Sequence, residues 1–430
     1  KRFNYLDHIE KNENIKNESE KFSYKFKIFL LKIFQRLLCS KNDIVLYKIY
    51  FGNIISTLIL FFKLRQFPFK YDLIEKIPKF KIDTSIRSKL NLKKSENNLY
   101  EKILRDFIIE IMPSNYIEGF KSRLKDVENS FLPKKTEIIY SCSIYSDYRF
   151  KYWVCNQIND GAKLIYGQHG SAYNAFIYDQ RSAHEIKIAD LFLSWGWTNK
   201  LKKVVPCGVF SLVGKSLSQN NPQQNKILYL PGIVVLNPIE TIFSKYIDNK
   251  NDSKNRIYQL EKLDSFLKKM KKENLKNFYI KPHPNESNYD FKISHFLKKY
   301  NEIKFLKKDV NPFKIIGDYD FVLFSNLDST MFYYLMSLNK PAVALINNYN
   351  SILNQEYKKI WEKMIEAKIF HLTAESLYSF IENNKNNFNK WWYDPKTQDA
   401  VNNFSNISCK NEKNLISIIV QEIKKLKKND

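Results

Sequence analysis

The chain of 430 residues carries 70 Lys and Arg against 45 Asp and Glu, a formal net charge of +25. This length exceeds one ordinary hydrophobic core, so we expect two domains, and a hydrophobic content of 44% excludes global disorder. The basic surplus fits either an anionic partner or solvated lysine. Because it is spread along the chain without an arginine-rich or aromatic-plus-basic block, we expect no nucleic-acid partner.

The scattered cysteines form no C-x-x-C pair, which predicts reduced thiols in the cytoplasm and argues against a disulfide framework or a zinc site. The longest apolar run, residues 49–62, has about 14 residues, and a membrane-spanning helix needs about 20. It predicts a buried helix, with an interfacial one as the alternative. Residues 26–38 predict a basic amphipathic helix that packs on a core or lies on an anionic membrane. We expect a cytoplasmic protein, with peripheral contact to the cytoplasmic face of the inner membrane left open.

The order of predicted elements indicates an α/β fold. Residues 1–130 predict a helical N-terminal region, and residues 131–222 alternate short apolar strands with helices, as in a parallel sheet covered by helices. After a polar linker, the same rhythm fills residues 223–405, and residues 406–430 predict a helix that packs back on the first domain. We expect two Rossmann-like domains facing a central cleft, with ligands at the carboxyl ends of their strands.

The segment Lys281-Pro-His283-Pro follows a predicted strand of the second domain. Its two prolines make the turn rigid, so an ammonium and an imidazole are presented at the carboxyl end of the strand. Such groups suit a phosphate or a diphosphate leaving group. A single His is more often structural, but this setting favours function. We assign Lys281, His283 and Glu286 to nucleotide binding.

The segment from Ser325 to Thr330 lies between an apolar strand and a helix. Ser329 or Thr330 is expected to cap the helix, whose first free N–H groups and positive dipole end can hold a phosphate. Capping alone explains one of these hydroxyls. Three hydroxyls at one strand-to-helix turn, with Ser325 included, fit a nucleotide phosphate site better.

In the first domain, the pair Gln168-His169 is flanked by two glycines, which permit a tight turn and close approach of the backbone to a ligand. Sugar transfer needs a base for the acceptor hydroxyl or a group that stabilises an oxocarbenium-like transition state. The candidate catalytic residues are, in order, His169, Glu185 and Asp147, and the candidates for acceptor or sugar binding are Gln168, Gly170 and Tyr173.

The segment Asp318-Tyr-Asp320 matches the D-x-D pattern that binds a metal-nucleotide in another glycosyltransferase fold. Here it precedes a buried strand at its amino end, away from the edge where ligands of such sheets bind. We interpret it as a solvated loop. We expect no metal and no cofactor.

Several motifs occur together in a fixed order. Residues 166–170 read Tyr-Gly-Gln-His-Gly, and Glu185 leads into Ala-Asp-Leu-Phe-Leu-Ser-Trp-Gly-Trp at 189–197; Lys-Pro-His-Pro follows at 281–284 and Asp-Ser-Thr at 328–330. Over residues 100–350 this combination resembles GT-B-fold transferases of bacterial surface-carbohydrate and capsule biosynthesis, a group that includes β-Kdo transferases.

Similarity to the CMP-sugar branch of this group implies that the His-Pro turn and the Ser-Thr turn bind the CMP phosphate without a metal. It implies a nucleotide-sugar co-substrate bound by the second domain, with a sugar of the 2-keto acid type such as Kdo or a sialic-acid-like nonulosonate. It also implies a glycan or glycolipid acceptor on the side of the first domain. The negative carboxylate of that sugar would be a partner for the excess of basic residues. The group usually has a Glu a few residues after the Ser-Thr turn that touches the donor ribose. This chain has Tyr334 there, so the ribose contact and the nucleotide identity are not carried over.

Two alternatives stay open. A CDP-glycerol or CDP-ribitol phosphotransferase of teichoic-acid type also has a His-Pro turn and a Ser-rich turn, and it releases CMP. A basic nucleic-acid-binding protein would bind arbitrary DNA or RNA with an affinity that falls steeply as salt rises. The two α/β halves and the paired His turns argue against this second alternative.

Overall fold

The computed structural model describes residues 43–68, 80–90, 99–128, 130, 132–144, 148–177, 179–215, 217, 226–232, 253–283 and 299–428. The chain divides into two compact units: the first contains the described residues up to Lys48 and residues 58–163, and the second contains residues 49–57 and those from Leu164 onward. Both contain parallel strands with helices between them, which confirms the α/β class. The predicted amphipathic helix at 26–38 and, apart from Leu217, the predicted linker lie outside the described residues.

The helices described between residues 54 and 159 are short, and most of them lie in the region that was predicted to be mainly helical. They are α1 (Ile54–Lys63), α2 (Thr84–Ser88), α3 (Leu99–Ile111), α4 (Phe120–Glu128) and α5 (Tyr148–Asn159). Buried Arg87 of α2 pairs with Glu118, with 2.7 Å between Nε and Oε1, and also donates to the carbonyls of Ile109, Glu110 and Met112. One guanidinium thereby ties α2 to the end of α3.

Strands β1 (Ile44–Tyr47) and β2 (Ile138–Ser141) pair in parallel, with Ile44 opposite Ile138. Every residue of both strands is buried, as expected for parallel strands covered on both faces. The prediction that residues 1–130 are mainly helical is therefore wrong at β1. The four-residue run of β1 is too short for its period to separate strand from helix.

Helix α1 corrects a second expectation. Leu60 and Phe61 are buried, but Ile54, Ile55 and Phe62 are 74%, 64% and 70% exposed. The apolar run therefore forms a helix with one face in the core and one face exposed, so the predicted buried helix holds for one face only and the interfacial alternative stays open. Among the described helices, none has both the length and the apolar character needed to cross a bilayer.

In the second unit, β3 (Lys163–Gly167), β4 (Leu191–Ser194) and β5 (Val204–Pro206) pair in parallel. Helix α6 (Gln180–Ile188) connects β3 to β4, and the Asp179 side chain caps it by accepting from the amide of Ser182. These elements show the alternation of strands and helices that is predicted for residues 131–222.

The second unit also contains a six-stranded parallel sheet in the order β11-β10-β9-β6-β7-β8. Its strands are β6 (Ile227–Leu230), β7 (Phe278–Ile280), β8 (Lys304–Phe305), β9 (Phe321–Phe324), β10 (Ala342–Leu345) and β11 (Phe370–His371). Strand β6 lies between β9 and β7, so the chain leaves it in one direction for β7 and β8 and builds β9 to β11 on the other side. This reversal is a topological switch point, where sheets of this type bind ligands beyond their carboxyl ends.

The second unit also contains the helices described after β6. They are α7 (Ser253–Lys269), α8 (Lys272–Leu275), α9 (Pro312–Ile315), α10 (Thr330–Ser337), α11 (Gln355–Glu366), α12 (Ala374–Asn384), α13 (Phe388–Trp392), α14 (Pro395–Ser408) and α15 (Leu415–Lys428). Phe266 of α7 and Phe380 of α12 pack with Phe321 of β9 in one buried cluster. Truncating such a buried Phe to Ala typically costs about 3–5 kcal/mol, so this core fixes the strands whose ends carry the site.

The C-terminal segment returns to the strands β3 to β5. The amide of Lys410 donates to the carbonyl of Trp195 at 2.7 Å, and the amide of Val209 donates to the carbonyl of Lys410 at 3.1 Å. Gly208 has φ +118, and a Cβ added there would lie 2.8 Å from the Lys410 carbonyl oxygen. Only glycine fits this close approach without strain.

Candidate functional site

A cavity of about 580 Å³ opens at the carboxyl ends of the central strands of the six-stranded sheet. It lies at the switch point beside β6, where the fold predicts a ligand. Its walls come from the segments that follow β6, β7, β8 and β9, and they include Gly232, Lys281, Pro282, His283, Lys308, Asp309, Asn311, Asn326, Asp328, Ser329 and Thr330. Of the predicted nucleotide-binding residues, Lys281, His283, Ser329 and Thr330 therefore line one cavity.

Helix α10 points its amino end into this cavity. Ser329 occupies the N-cap position with an extended backbone, but its side chain makes no capping hydrogen bond. The predicted position of the cap is right, and the predicted hydroxyl cap is absent. The helix's positive end and the hydroxyl-bearing residues Ser329 and Thr330 thus lie together in the cavity wall, an arrangement that suits a phosphate.

Lys281 lines the cavity and also bonds to the backbone around it. Its ammonium donates to the carbonyls of Pro282 at 3.1 Å and Lys308 at 3.0 Å, and burial lowers its pKa. Two of its three N–H groups therefore hold the loop after β8 against the end of β7. Lys281 shapes the cavity, and its direct contact to a phosphate stays a prediction.

Ser325 and the Asp318-Tyr-Asp320 segment do not line this cavity. Ser325 is buried at the end of β9 and is not part of the cavity wall. Glu286 and Asp147 lie outside the described residues. Asp318 and Asp320 precede β9 at its amino end, and Asp320 accepts from the amide of Lys226 at 2.8 Å, so the D-x-D segment lies at the edge of the sheet opposite to the cavity. Among the described residues, no group of three or more His, Cys, Asp and Glu side chains is arranged to hold a metal.

His169, Tyr173 and Glu185 form a hydrogen-bonded chain. The Tyr173 hydroxyl lies 2.7 Å from His169 Nδ1 and donates to Glu185 Oε1 at 3.1 Å. Because this hydroxyl has one proton and gives it to Glu185, it accepts from His169 Nδ1–H. The assigned tautomer leaves the lone pair of the imidazole on Nε2, where a proton can be taken up. Two of the predicted catalytic residues are thereby linked through Tyr173.

The charge states of this chain follow from burial. Burial lowers the pKa of His169 to about 4, and the nearby charge of Arg181 adds to this effect. Burial raises the pKa of Glu185, which is 0% exposed, to about 8. Both groups are therefore mainly uncharged at neutral pH. A proton accepted by His169 leaves a cation 3.7 Å from Glu185 Oε1, so ionisation of Glu185 would stabilise it.

Gln168 and Gly170 support the His169 turn. Gln168 is 1% exposed; its Oε1 accepts from the Trp195 amide at 2.9 Å and Trp197 Nε1 at 2.8 Å, and its Nε2 donates to the Gly170 carbonyl. In this turn the positive φ values belong to Ala172 and Asn174, and Gly167 and Gly170 do not have positive φ. The tight backbone turn therefore lies after the two glycines that were expected to permit it. A Cβ added at Gly170 would meet nothing within 4 Å, which leaves room for a ligand. Sugar contacts of Gln168 and buried Tyr173 stay predictions.

A residue that the sequence analysis passed over connects the two parts of the site. Ser171 Oγ donates to the Asp328 carbonyl at 2.9 Å and lies 3.2 Å from Asp328 Oδ1 and 3.5 Å from Thr330 Oγ1. The turn that carries His169 therefore touches the turn that begins α10. Arg181 of α6 lies beside both, with Nη2 4.0 Å from Asp328 Oδ1.

Ser171, Asp328 and Arg181 were missed for identifiable reasons. Ser171 and Asp328 belong to two motifs that are 157 positions apart, and nothing in either motif predicts that the two residues meet. Arg181 has no motif around it, and only the fold brings it to Asp328. The tyrosine at the position of the usual Glu, Tyr334, is hydrogen-bonded to Ser211 and packs against Trp195 with ring centroids 6.1 Å apart, and it does not line the cavity.

The profile of one protein family, described as LIC12162 family transferase, matches residues 3–423. None of the curated proteins compared with the chain matches it. The match covers the six-stranded sheet, the cavity and the hydrogen-bonded residues His169, Tyr173 and Glu185.

Several solved structures are similar to this chain over most of its length. The UDP complex of MnaA from S. aureus is 11% identical, with a TM-score of 0.44 over 89% of this chain and 95% of that one. A UDP-N-acetylglucosamine 2-epimerase structure from Listeria monocytogenes is 10% identical, with a TM-score of 0.45 over 90% and 98%. A glycosyltransferase from Rickettsia africae is 13% identical, with a TM-score of 0.41 over 91% and 100%. At these scores the likenesses carry no argument about the site.

Proposed function

The chain belongs to the LIC12162 family of transferases, and from this membership we propose that it moves a sugar from a CMP-activated donor to a glycan or glycolipid of the bacterial surface. One observation carries the proposal: a phosphate-type cavity and a neutral imidazole are joined by the contact between Ser171 and Asp328. Sugar transfer needs a site for the leaving phosphate next to a base for the acceptor hydroxyl. The proposed donor sugar is Kdo or a sialic-acid-like 2-keto sugar.

The proposed reaction uses both parts of the site. His169 Nε2 takes the proton of the acceptor hydroxyl while that oxygen attacks the anomeric carbon. The bond from the anomeric carbon to the phosphate oxygen breaks, and CMP leaves with its phosphate held by His283 and the amino end of α10. Tyr173, which is hydrogen-bonded to Glu185, keeps His169 in the tautomer that accepts the proton.

The proposed absence of a metal rests on the chemistry of the donor. CMP departs with a single phosphate, and helix amides together with an imidazole can balance its charge. A diphosphate leaving group would develop more charge at the same place. Retention of activity in a chelator, and no gain on adding Mg²⁺ or Mn²⁺, is the expected result.

Calorimetric titration of the purified protein with CMP, CDP, UDP and GDP, each with and without chelator, tests the donor class. Micromolar CMP binding that survives chelator, with the other nucleotides much weaker, supports the proposal. A preference for UDP or GDP would replace the donor class. Release of CMP from CDP-glycerol or CDP-ribitol would favour the polyol phosphotransferase, and salt-sensitive binding of arbitrary DNA would favour the nucleic-acid-binding alternative.

We also propose a location in the cytoplasm, with peripheral contact to the inner membrane. The exposed apolar residues Ile54, Ile55 and Phe62 support this contact, because apolar side chains next to a basic residue such as Lys63 suit an anionic bilayer surface. Co-sedimentation with phosphatidylglycerol vesicles tests it. Ile55→Ser with Phe62→Ser should reduce binding, and Ile177→Ser, which removes another exposed Ile, is the control. Equal binding by both variants would exclude α1 as the contact.

A further inference from the structure

The loop that follows β8 forms part of the cavity wall, and hydrogen bonds hold it in place. The amide of Leu306 donates to the carbonyl of Ile280 at 2.8 Å, and the amide of Val310 donates to the carbonyl of Lys307 at 3.3 Å. At the end of the loop, the Asn311 side chain caps the short helix α9. The loop is therefore fixed at both of its ends.

Lys281 holds the middle of the same loop. It is 3% exposed, and its ammonium donates to the carbonyls of Lys308 at 3.0 Å and Pro282 at 3.1 Å. These bonds join the end of β7 to the loop after β8 and use two of the three N–H groups of a buried cation. Lys281 thereby sets the position of the Lys308 backbone.

The side chain of Lys308 has a different environment from that of Lys281. Lys308 is exposed and lines the cavity, and its ammonium makes no hydrogen bond or ion pair with any residue that the structure describes. Of the two lysines in the described cavity wall, Lys308 is thus the one whose ammonium a ligand can engage without displacing an existing hydrogen bond.

The two aspartates of this wall have other neighbours. Asp328 lies beside the Ser171 hydroxyl, which donates to its backbone carbonyl at 2.9 Å and lies 3.2 Å from its Oδ1. Asp309 is close enough to Lys281 for its charge to offset part of the effect of burial on the pKa of that ammonium. An anion in the cavity therefore finds the positive end of α10 and the Lys308 ammonium on the wall around it.

We propose that Lys308 is the main cationic contact of the nucleotide phosphate in this cavity, and that Lys281 is a positioning residue that acts through the Lys308 carbonyl. This inference rests on the proposed function, because it assigns a binding residue of the same site. When the bond from the anomeric carbon to the phosphate oxygen breaks, the phosphate gains one negative charge. An ammonium is a compact charge with three donors, and Lys308 stabilises the charge that develops there.

Calorimetry with CMP and with cytidine tests this assignment, because the two ligands differ only in the phosphate. Lys308→Gln should weaken CMP binding by about 10- to 100-fold, as expected for loss of a charged hydrogen bond, and should leave cytidine binding unchanged. Lys307→Gln is the matched control, because Lys307 is the neighbouring exposed lysine and does not line the cavity. Equal CMP affinity of wild type and Lys308→Gln would overturn the assignment.

A double-mutant cycle tests the positioning role of Lys281. Lys281→Met removes the bond to the Lys308 carbonyl and should weaken CMP binding in the wild-type background. In the Lys308→Gln background, it should cause little further loss, because the ammonium that it positions is gone. Losses that simply add would show that Lys281 acts on the phosphate directly and would overturn its positioning role.

A second readout needs no variant. Acetylation of the wild-type protein with an amine-reactive ester, followed by peptide mass spectrometry, gives the rate of modification of each lysine. Saturating CMP should slow the acetylation of Lys308 and leave that of Lys307 unchanged. Equal rates at Lys308 with and without nucleotide would place its ammonium outside the phosphate site.

The outcomes separate the two proposals. If UDP or GDP binds more tightly than CMP, and Lys308→Gln weakens that nucleotide, the CMP donor class is overturned and the phosphate contact is retained. If CMP binds to wild type and to Lys308→Gln with equal affinity, the donor class is retained and the role of Lys308 is overturned. A wild-type protein that binds none of these nucleotides would overturn both.

Discussion

Ser171 donates a hydrogen bond to the backbone carbonyl of Asp328 at 2.9 Å, and this bond joins the loop after β3 to the loop after β9. Each loop belongs to a different sheet of the second unit. The bond holds the turn of His169 beside the turn that begins α10, and the proposed transfer requires these two turns to be close together. Four predictions concern this arrangement.

Ser171→Ala removes the bond and leaves the Asp328 carbonyl without its donor. We expect a loss of about 0.5–1.5 kcal/mol in the free energy of unfolding and a larger fractional loss of turnover, because the two loops are no longer held in register. Urea denaturation and a CMP-release assay measure the two effects. Ser265→Ala, which removes a hydroxyl bonded only within its own helix, is the control. Equal turnover in both variants would remove Ser171 from the site.

His283→Ala should weaken nucleotide binding by about 1.5–3 kcal/mol, since a hydrogen bond to a charged phosphate is lost. Calorimetric titration with CMP measures this change. His184→Ala is the matched control, because His184 is an exposed histidine outside the cavity. Unchanged affinity in a folded His283→Ala variant would exclude His283 from nucleotide binding.

His169→Ala should retain CMP affinity and lose turnover by about 10²–10⁴-fold, the range expected for loss of a general base. Tyr173→Phe should lower turnover less, because it keeps the imidazole and removes the hydroxyl that fixes its tautomer. Single-turnover release of CMP from its sugar donor measures both. Near-normal turnover of His169→Ala would leave His169 with a structural role.

Glu185→Gln tests the protonation of the buried carboxyl. Burial raises the pKa of Glu185 from 4.5 to about 8 in the folded protein, so the folded state binds this proton more tightly than the unfolded state does. Its contribution to stability is complete below pH 4.5 and is lost as the pH rises towards about 8. The amide variant lacks this dependence.

The measurement for Glu185 is the difference in unfolding free energy between wild type and Glu185→Gln as a function of pH. We expect this difference to fall as the pH rises, by at most about 1.4 kcal/mol per pH unit. Glu366→Gln is the control, because Glu366 is an exposed carboxyl on the surface. A pH-independent difference for Glu185 would show that its carboxyl ionises normally in the folded protein.

The sequence predicted the parts of the fold that depend on local pattern. The alternation of strands and helices from residue 131 onward was predicted, and the start of α10 was placed beside Ser329. Strand β1 was missed because its short apolar run has no period of its own and depends on pairing with β2. The exposed face of α1 was missed because apolar composition alone does not say which side the core covers.

The candidate site was predictable to a similar degree. Groups close to one another in the sequence, such as Lys281 and His283, were recognised as candidates. The sequence does not show that the Lys281 ammonium bonds to the carbonyls of Pro282 and Lys308 after folding. The link between His169 and Glu185 runs through the Tyr173 hydroxyl, and no spacing rule gives that orientation. Arg181 reaches Asp328 only through the packing of two sheets.

The return of the chain from Lys410 to Trp195 and Val209 has a consequence for biosynthesis. The β4 and β5 region leaves the ribosome long before its final backbone partner is translated. Its carbonyl and amide groups must therefore be satisfied by water or by a temporary partner during elongation. A chain truncated before Lys410 would keep the whole six-stranded sheet but would lack the backbone hydrogen bonds from Lys410 to Trp195 and Val209. Nascent chains stalled at that point should therefore be sensitive to protease at Trp195.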